Sequence, residues 1–264
     1  MLGMSETDPP VIGDAFGAAL ARCWASGARP GAAFEIVERD DGYIGVTDMA
    51  RYFGGRDSWP DLERAALTDV RGRILDVGCG AGRHAVPLRQ DGHEVVGLDS
   101  SPLAVAITLE RGAPAVSGTA QAVPAGIGRF DTILMLGGNL GLLADPETAV
   151  VTLTELARIT APGGQLLGTG MDPYRTEDPA HLAYHDRNRA RGRPAGQLRM
   201  RVRHGRLATP WFDYLLAAAD ELTDLITSTP WTLNSIEEHG AGYALKLDLA
   251  APTPAAVRPG PETS

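Results

Sequence analysis

The feature that most constrains the fold is a glycine-rich turn between a short apolar strand and a helix. The strand pattern covers residues 73–77, and glycines stand at positions 78, 80 and 82. Glycine lets the backbone turn tightly and lets a ligand approach the main chain closely. The helix that follows, at residues 84–90, begins with N–H groups that are free to bind an acceptor. This pattern therefore predicts a site for a nucleotide-like cofactor at the end of a strand.

Two carboxylates near this turn narrow the choice of cofactor. Asp76 precedes the first glycine by two positions, and Asp99 ends the next strand pattern, at residues 94–98. A carboxylate at Asp76 would repel a pyrophosphate and suits a positively charged amine, whereas Asp99 is placed to accept hydrogen bonds from ribose hydroxyls. In a dinucleotide-binding turn the third glycine comes one position later, where Arg83 stands here. An NAD-dependent oxidoreductase is therefore disfavoured.

Strand and helix patterns alternate from residue 71 onward. A helix begins at residues 100–102, a weak strand covers 114–117, and a strong strand covers 130–136. A long helix from 145 to about 159 and a strand from 165 follow. Such alternation predicts an α/β fold in which a parallel sheet carries helices on both faces.

Further segments flank this alternating core. Residues 1–13 and the proline-rich tail 251–264 are expected to be disordered. Residues 14–70 are interpreted as an N-terminal helical lid, with Asp14 as the cap of its first helix. Within the domain at 71–250, residues 170–200 are polar and are expected to form an insertion that caps the substrate. The patterns at 198–205, 231–236 and 243–249 are expected to supply the last strands of the sheet.

Composition excludes several other classes of protein. The chain has 264 residues, a net charge of −9 and 44% hydrophobic residues, which suits a globular protein and disfavours a broad grip on nucleic acid. Its two cysteines, Cys23 and Cys79, cannot form a disulfide framework. No apolar run approaches the roughly 20 residues of a membrane span, and residues 1–14 show no secretory signal. We expect a cytoplasmic monomer or homodimer without nucleic-acid or membrane partners.

Four segments together resemble the class I S-adenosylmethionine (SAM)-dependent methyltransferase family. They are Asp-Val-Gly-Cys-Gly-Ala-Gly at 76–82, Gly-Leu-Asp at 97–99, Phe-Asp-Thr-Ile-Leu at 130–134 and Ala-Pro-Gly-Gly at 161–164. The match covers about residues 71–170. This resemblance implies a Rossmann-like, mostly parallel seven-stranded sheet with one antiparallel strand near an edge. It also implies SAM as cofactor and S-adenosylhomocysteine (SAH) as product.

The same resemblance assigns residues to the cofactor. Asp76 and the glycine turn would face its methionine part, Asp99 would hold the ribose, and Ser100 would flank the adenosine. Many relatives hold the adenine amine with an acid after the third strand, where this chain has Thr119. The backbone of Thr119 and Ala120, or the side chain of Gln121, would then take over. The full set expected at the cofactor is Asp76, Gly78, Cys79, Gly80, Gly82, Asp99, Ser100, Thr119, Ala120, Gln121, Leu136 and Gly137.

Residues for the methyl acceptor are expected in the lid and the insertion, where this family carries its acceptor specificity. Tyr43 would cover the cofactor or touch the acceptor, or it packs on the core. Asn139 would bind the acceptor or support the turn at Gly137 and Gly138. The substrate residues predicted are Tyr43, Asn139, Asp172, His181 and Trp211.

His181 and His185 are four residues apart and would share one face of a helix. Such a pair can serve as metal ligands or as a base and its partner, but no His-Glu-x-x-His motif accompanies it and no metal site is predicted. His185 is the candidate general base, and Tyr43 is the second candidate catalytic residue.

The sequence thus predicts a methyltransferase that moves the methyl group of SAM to an O, N or C atom of a small molecule. The transfer would be an in-line displacement that depends mainly on positioning, in bacterial secondary metabolism. Two alternatives stay open: a peptide or protein methyltransferase, which would need an open groove, and a non-catalytic SAM-binding partner subunit.

Overall fold

The computed structural model describes residues 9–250 of the chain. Two sheets and seven α-helices account for the regular structure of these residues. The strands are β1 (Val11–Ile12), β2 (Phe34–Arg39), β3 (Ile44–Asp48), β4 (Arg73–Val77), β5 (Glu94–Asp99), β6 (Ala115–Ser117), β7 (Phe130–Met135), β8 (Thr160–Met171), β9 (Gln197–His204), β10 (Leu207–Ala208), β11 (Phe212–Leu215), β12 (Trp231–His239) and β13 (Gly242–Leu249). The helices are α1 (Ala15–Ala25), α2 (Asp61–Leu67), α3 (Ala85–Gln90), α4 (Pro102–Glu110), α5 (Pro146–Arg158), α6 (Pro179–Ala190) and α7 (Ala219–Ile226), with 3₁₀ helices at Met49–Phe53, Arg56–Ser58 and Asn139–Leu143.

The main sheet has seven strands in the order β12-β13-β8-β7-β4-β5-β6. The strands from β8 to β6 pair in parallel, whereas β13 runs antiparallel to both of its neighbours. The predicted sheet, with one reversed strand near an edge, is therefore confirmed. The patterns at 231–236 and 243–249 do supply its last two strands.

Alternate residues of the central strands face two separate apolar cores. On β4, Ile74 packs among side chains of α2 and α3, whereas Leu75 and Val77 pack with side chains of α5 and α7. A strand buried on both faces must be apolar at successive positions, which explains the run Arg-Ile-Leu-Asp-Val. The predicted helices on both faces are thus confirmed. None of the helices in residues 9–250 combines the length and the apolar character that a membrane crossing requires.

The second sheet joins distant parts of the chain. Its order is β1-β10-β9-β2-β3, and β11 also pairs with β9. The strands β2 and β3 form a hairpin, and β2 pairs antiparallel with β9, so that Glu38 lies opposite Arg201. Along β2, alternation places Glu35 and Arg39 on one face and Glu38 on the other.

This sheet corrects several predictions from sequence. The lid at 14–70 is not purely helical, because residues 34–48 form the β2–β3 hairpin. The pattern at 198–205 corresponds to β9, which belongs to the second sheet and not to the first, since alternation shows that a strand is half-buried without identifying its partner. The insertion extends beyond 200 to β11. Residues 11–12 pair with β10, while the predicted disorder at 1–8 and 251–264 lies outside the described residues.

Helix α1 connects the second sheet to the glycine turn. As predicted, Asp14 caps this helix: its Oδ1 accepts a hydrogen bond from Gly17 N at 2.8 Å. Its Oδ2 accepts another from Ser101 Oγ at 2.7 Å, at the start of α4. One side chain therefore fixes the starts of two helices. Leu20 of α1 shares an apolar cluster with Ala81 of the turn, so α1 covers the turn.

Candidate active site

The glycine turn after β4 forms a cradle of bare main chain, which we call the glycine cradle (residues 78–82). Its glycines have left-handed φ angles of +71° at Gly78, +55° at Gly80 and +75° at Gly82, which side chains disfavour. The N–H of Gly78 donates to Leu98 O at 2.7 Å and ties the turn to β5. A Cβ at Gly82 would lie 2.9 Å from Val86 Cγ2, so α3 approaches the cradle too closely for a side chain.

Asp76 presents an unused carboxylate oxygen beneath this cradle. Its side chain is 1% exposed, and Oδ2 has no hydrogen-bond partner within the described residues. Burial raises the pKa of Asp76 to about 6, although the charge of His84 and the Ala85 N–H lower it in part. A buried polar atom without a partner is costly, so this oxygen is available to a donor from a ligand. A positively charged amine would satisfy it and would stabilise the ionised form.

Asp99 has both carboxylate oxygens held by the main chain. Oδ2 accepts from Gly80 N at 2.8 Å and Oδ1 accepts from Ser101 N at 2.9 Å. Each oxygen keeps a further acceptor position, as ribose hydroxyls would require. Burial raises the pKa of Asp99, and it raises the pKa of the neighbouring Cys79 thiol well above its usual range. Cys79 is therefore a neutral thiol in the turn.

The residues expected at the adenine are anchored by local hydrogen bonds. The hydroxyl of Thr119, an exposed residue, accepts from the N–H three residues later at 3.1 Å, and Ala120 is buried. The Gln121 amide donates to Leu142 O at 2.9 Å, which occupies one of its N–H groups. Ser100 is exposed beside Asp99. The amide oxygen of Gln121 and the main-chain carbonyls at 119–120 therefore both stay candidates to accept from the adenine amine.

A buried ionic cluster follows the cradle, and the sequence did not reveal it. Glu63 of α2 lies 2.9 Å from Arg83 Nη2 and 2.8 Å from His84 Nε2. Burial alone would raise the pKa of Glu63, but His84 and Arg83 hold it below its ordinary value. The Nε of Arg83 has no partner among residues 9–250, and its Nη1 is 3.6 Å from where a Cβ of Gly137 would be. The charge of Arg83 also lowers the pKa of Asp76 in part, and such a cation suits the carboxylate of an amino acid.

Asn139 supports the cradle. Its Nδ2 donates to Val77 O at 2.8 Å and to Gly78 O at 3.0 Å, so the amide nitrogen holds the strand end and the turn together. The neighbouring Leu136 is buried in the core, while Gly137 is exposed with φ of +74°. Of the two interpretations of Asn139, this geometry supports the structural one.

Two aromatic side chains, Phe16 at the cradle and Tyr214 at the loop after β7, are called the roof here. Phe16 Cζ is 4.0 Å from the position of a Cβ on Gly80. Tyr214 of β11 donates to Gly138 O at 2.6 Å, and its ring lies on Gly141, where a Cβ would be only 2.0 Å from ring carbon Cζ. Burial raises the pKa of Tyr214 to about 12, so the phenol stays a neutral donor. No local sequence signal marks Tyr214, because its place depends on the pairing of β11 with β9.

Two predicted substrate residues meet at the tip of the β2–β3 hairpin. The rings of Tyr43 and His181 are 5.0 Å apart, and the guanidinium of Arg39 is 4.6 Å from the centre of the Tyr43 ring. Arg39 is buried and pairs with Asp41 at 2.7 Å. These contacts hold the hairpin tip against α6. A role for Tyr43 or His181 toward a substrate stays a prediction.

The other predicted site residues, His185, Asp172 and Trp211, have different surroundings. His185 is buried, and burial lowers its pKa, so the ring is neutral at pH 7. Asp172 accepts from Tyr174 N at 2.8 Å and stabilises the turn after β8. The ring of Trp211 lies 4.6 Å from the guanidinium of Arg201. His, Cys, Asp and Glu side chains form no group of three or more suited to a metal ion within residues 9–250.

The arrangement fits the amino-acid end of SAM. Asp76 offers an unpartnered buried oxygen for an ammonium group, Arg83 offers a cation for a carboxylate, and the cradle offers main chain without side chains. Asp99 would hold the ribose. When bound, SAM supplies an electrophilic methyl group on a positively charged sulfur. The roles of the individual residues stay predictions.

Comparison with known proteins agrees with this fit. A family model described as a methyltransferase domain matches residues 74–164. The solved structure of a SAM-dependent methyltransferase from Bacteroides fragilis, in complex with SAH, is similar with a TM-score of 0.75 and 26% sequence identity. The similarity covers 90% of this chain and 95% of that chain, so it includes the second sheet as well as the first.

Other relatives match a smaller part of the chain. Demethylmenaquinone methyltransferase of Beutenbergia cavernae is 34% identical over 113 residues, which are 40% of this chain and 45% of that protein. The chain thus spans about half the length of the curated relatives it matches. A SAM-dependent methyltransferase structure from Methanosarcina mazei shares the fold with a TM-score of 0.59 and 18% identity, over 73% of this chain and 100% of that chain. The cradle, the two acids and these similarities identify a methyltransferase domain at residues 74–164, and the fold of the chain is similar to that of SAM-dependent methyltransferases.

Proposed function

We propose that this protein transfers the methyl group of SAM to a small-molecule acceptor. The observation that carries the proposal is the roof, in which Tyr214 is bonded to Gly138 and Phe16 lies over Gly80. A covered space suits a small acceptor, whereas a polypeptide acceptor needs an open groove. Relatives named for demethylmenaquinone and for ubiquinone biosynthesis support a small acceptor.

The residues of the chain would act mainly by positioning. A displacement at a methyl group needs the acceptor atom in line with the S–CH₃ bond and close to it. Asp76 and Asp99 would fix the two ends of the cofactor, while the roof would hold the acceptor and exclude water. His185, neutral at pH 7, and Tyr43 are candidate catalytic residues from the sequence and stay predictions.

The proposal also covers the cellular location, the type of metabolism, the acceptor atom and the oligomeric state. We place the reaction in the cytoplasm and in bacterial secondary metabolism, with an O, N or C atom as acceptor and a monomer or homodimer as the active form. The size and composition of the chain support this setting.

A ligand panel tests the proposal. SAM, SAH, NAD and NADP are added separately, and the melting temperature is measured. A ligand at 100 times its dissociation constant stabilises a fold by about 2.7 kcal/mol, and we expect this only with SAM and SAH. SAH formation is then compared between a pool of small metabolites and a peptide library. Turnover of peptides alone, or binding of SAM without any transfer, would support one of the two alternatives.

A further inference from the structure

An under-used carboxylate lies beside the roof, at Glu35 of β2. Its one hydrogen bond in the described part of the chain comes from Tyr52, whose Oη is 2.7 Å from Glu35 Oε2. A carboxylate has about four acceptor positions on its two oxygens, so most of its capacity is unused. Burial raises the pKa of Glu35, although Tyr52 and the charge of Arg51 lower it in part.

Glu35 is connected to the roof through Tyr52. Phe16, which reaches Gly80, meets the ring of Tyr52 edge to face at 5.4 Å, and Tyr52 donates to Glu35. Burial raises the pKa of Tyr214, and the charge of Glu35 adds to this effect. Contacts therefore lead from the cradle through Phe16 and Tyr52 to the carboxylate of Glu35.

The charge of Glu35 is left without a paired cation. The charge of Arg51 lowers the pKa of Glu35 in part, but Arg51 is exposed, lies over the Tyr52 ring at 5.8 Å and forms no ion pair to Glu35 within residues 9–250. On the opposite face of the same strand, Glu38 is paired with Arg201 at 2.9 Å and with Arg203 at 3.2 Å. A partly buried acid without a paired cation is costly, so an incoming cation would be favoured there.

We infer that Glu35 binds the amine of the acceptor and takes its proton, so that the substrate is a small primary or secondary amine. The inference rests on the proposed methyl transfer and names its acceptor class. The ammonium form is held by the carboxylate of Glu35 and by the aromatic faces of Tyr52 and Tyr214. Aromatic rings attract such cations through the negative charge on their faces.

The step balances in atoms and electrons. The ammonium proton moves to the Glu35 carboxylate, and the freed lone pair forms the new N–C bond. The S–C bond breaks with its electron pair left on sulfur, and Glu35 later releases the proton to water. Proton transfer from an ammonium cancels two charges in a covered site, whereas transfer from a phenol leaves one negative charge there. An alcohol is a far weaker acid than an amine cation, whose ordinary pKa is about 10, so the carboxylate favours an amine.

Matched substrates and matched variants test this assignment. The probes are pairs of amines and alcohols with one carbon skeleton, from ethylamine and ethanol to tryptamine and tryptophol, with the full chain and SAM. We expect SAH formation with amines and none with the matching alcohols. Glu35→Gln should lower turnover of the best amine by about 100-fold or more, while Glu38→Gln, on the other face of β2, should change it by about twofold at most. Turnover confined to alcohols, or turnover of no amine, overturns the inference.

Binding measurements distinguish amine binding by Glu35 from cofactor binding and from a structural role. With SAH present, the best amine should raise the melting temperature of the wild type and Glu38→Gln but not of Glu35→Gln. Calorimetry should give equal SAM and SAH affinities for all three proteins. A loss of SAM affinity alone would assign Glu35 to the sulfonium cation, and an unchanged amine shift would leave it structural; either result overturns the inference. A wild type that binds neither SAM nor SAH would instead refute the proposed function.

If Glu35→Gln does not fold, the variant Glu35→Asp provides a second test. Glu35→Asp keeps the charge and withdraws it by one methylene group. Amine turnover should then fall about tenfold or more, with SAH affinity unchanged, because a displaced base loses its alignment. Unchanged amine turnover in this variant would also contradict the inference.

Discussion

The two sheets of this protein place their functional residues in different ways. In the main sheet, Asp76 lies on β4 and Asp99 on β5. Each acid is therefore positioned by its own segment of the chain. In the second sheet, β2 pairs with β9, and Glu38 bonds to Arg201 from 163 positions away in the chain. Under the proposed function, we call these the cofactor half and the acceptor half. A local motif can identify the first, whereas only long-range pairing assembles the second.

The halves also differ in burial. The main sheet is covered on both faces, and its acids are among the most buried polar groups of the described chain. The second sheet carries exposed side chains such as Phe34 and Val46, while Tyr214 of β11 reaches the loop after β7. Residues on a half-exposed sheet can change with less loss of core packing. This arrangement suits a fold that keeps one cofactor and varies its acceptor.

The largest effect should come from Asp76→Ala in the cofactor half. Without the carboxylate, the ammonium of SAM or SAH would be buried without a partner, which costs about 2 to 5 kcal/mol, or about 30- to 5000-fold in affinity. Calorimetry with SAH measures this change. Asp145→Ala, which removes the cap of α5, is the control and should leave SAH affinity unchanged. Equal small effects of both variants would remove the cradle from the cofactor site.

The pKa of Asp76 gives a second large effect. The folded-state value of about 6 lies above the ordinary 3.8, so the folded protein holds an extra proton between these pH values. Stability should therefore fall by about 3 kcal/mol as pH rises from about 4 to about 6, and Asp76→Asn should lack this fall. Urea unfolding of both ligand-free proteins from pH 4 to pH 7 checks the difference. Parallel curves would mean that Asp76 titrates normally.

Asn139→Ala should weaken the cofactor half more than the acceptor half. The variant leaves the carbonyls of Val77 and Gly78 without their donor. We expect the free energy of SAH binding to weaken by about 2 kcal/mol, which is about 30-fold in affinity, because the cradle is no longer held in place. The KM for the acceptor at saturating SAM should stay unchanged. Asn234→Ala, at an exposed amide bonded to Asp248, serves as control. A raised acceptor KM with normal SAH affinity would instead assign Asn139 to the acceptor.

Tyr214→Phe should affect the acceptor half alone. Loss of the hydrogen bond to Gly138 O should cost about 1 kcal/mol of stability and raise the acceptor KM about fivefold, while SAH affinity is unchanged. Tyr243→Phe is a matched control, because its hydroxyl donates to Ala217 O at 2.9 Å from within the main sheet. It should cost similar stability without a change in KM. A fall in SAH affinity with Tyr214→Phe would show that the two halves are not separable.

The smallest effect is expected for His185→Ala. The ring lies on α6, and we expect SAH affinity to be unchanged and, with Glu35 as proton acceptor, turnover to be unchanged as well. Both are measured on the folded variant by calorimetry and by SAH formation. A fall in turnover of about 100-fold at normal SAH affinity would give the role of base to His185 and contradict the assignment of Glu35.

Features that depend on neighbours in the chain were accessible from sequence. The cap at Asp14 could be predicted because a capping oxygen bonds to an N–H only three residues away. The glycine cradle and the acids on β4 and β5 were accessible for the same reason. The pairing of Arg83 with Glu63 was not, since nothing local places α2 beside the start of α3. For Asn139 the sequence identified the residue but could not choose between its two roles.

By itself, the sequence determined the cofactor half: an alternating chain, a glycine cradle and two acids at strand ends define a parallel sheet and its ligand chemistry. Only the tertiary structure decided the acceptor half. The alternation in β9 shows that one face of the strand is solvated, but it does not identify the partner strand. Strands that are far apart in the chain meet only in the folded structure. That pairing places Glu35, Tyr52 and Tyr214 together, although nothing near any of them in the chain marks it for that role.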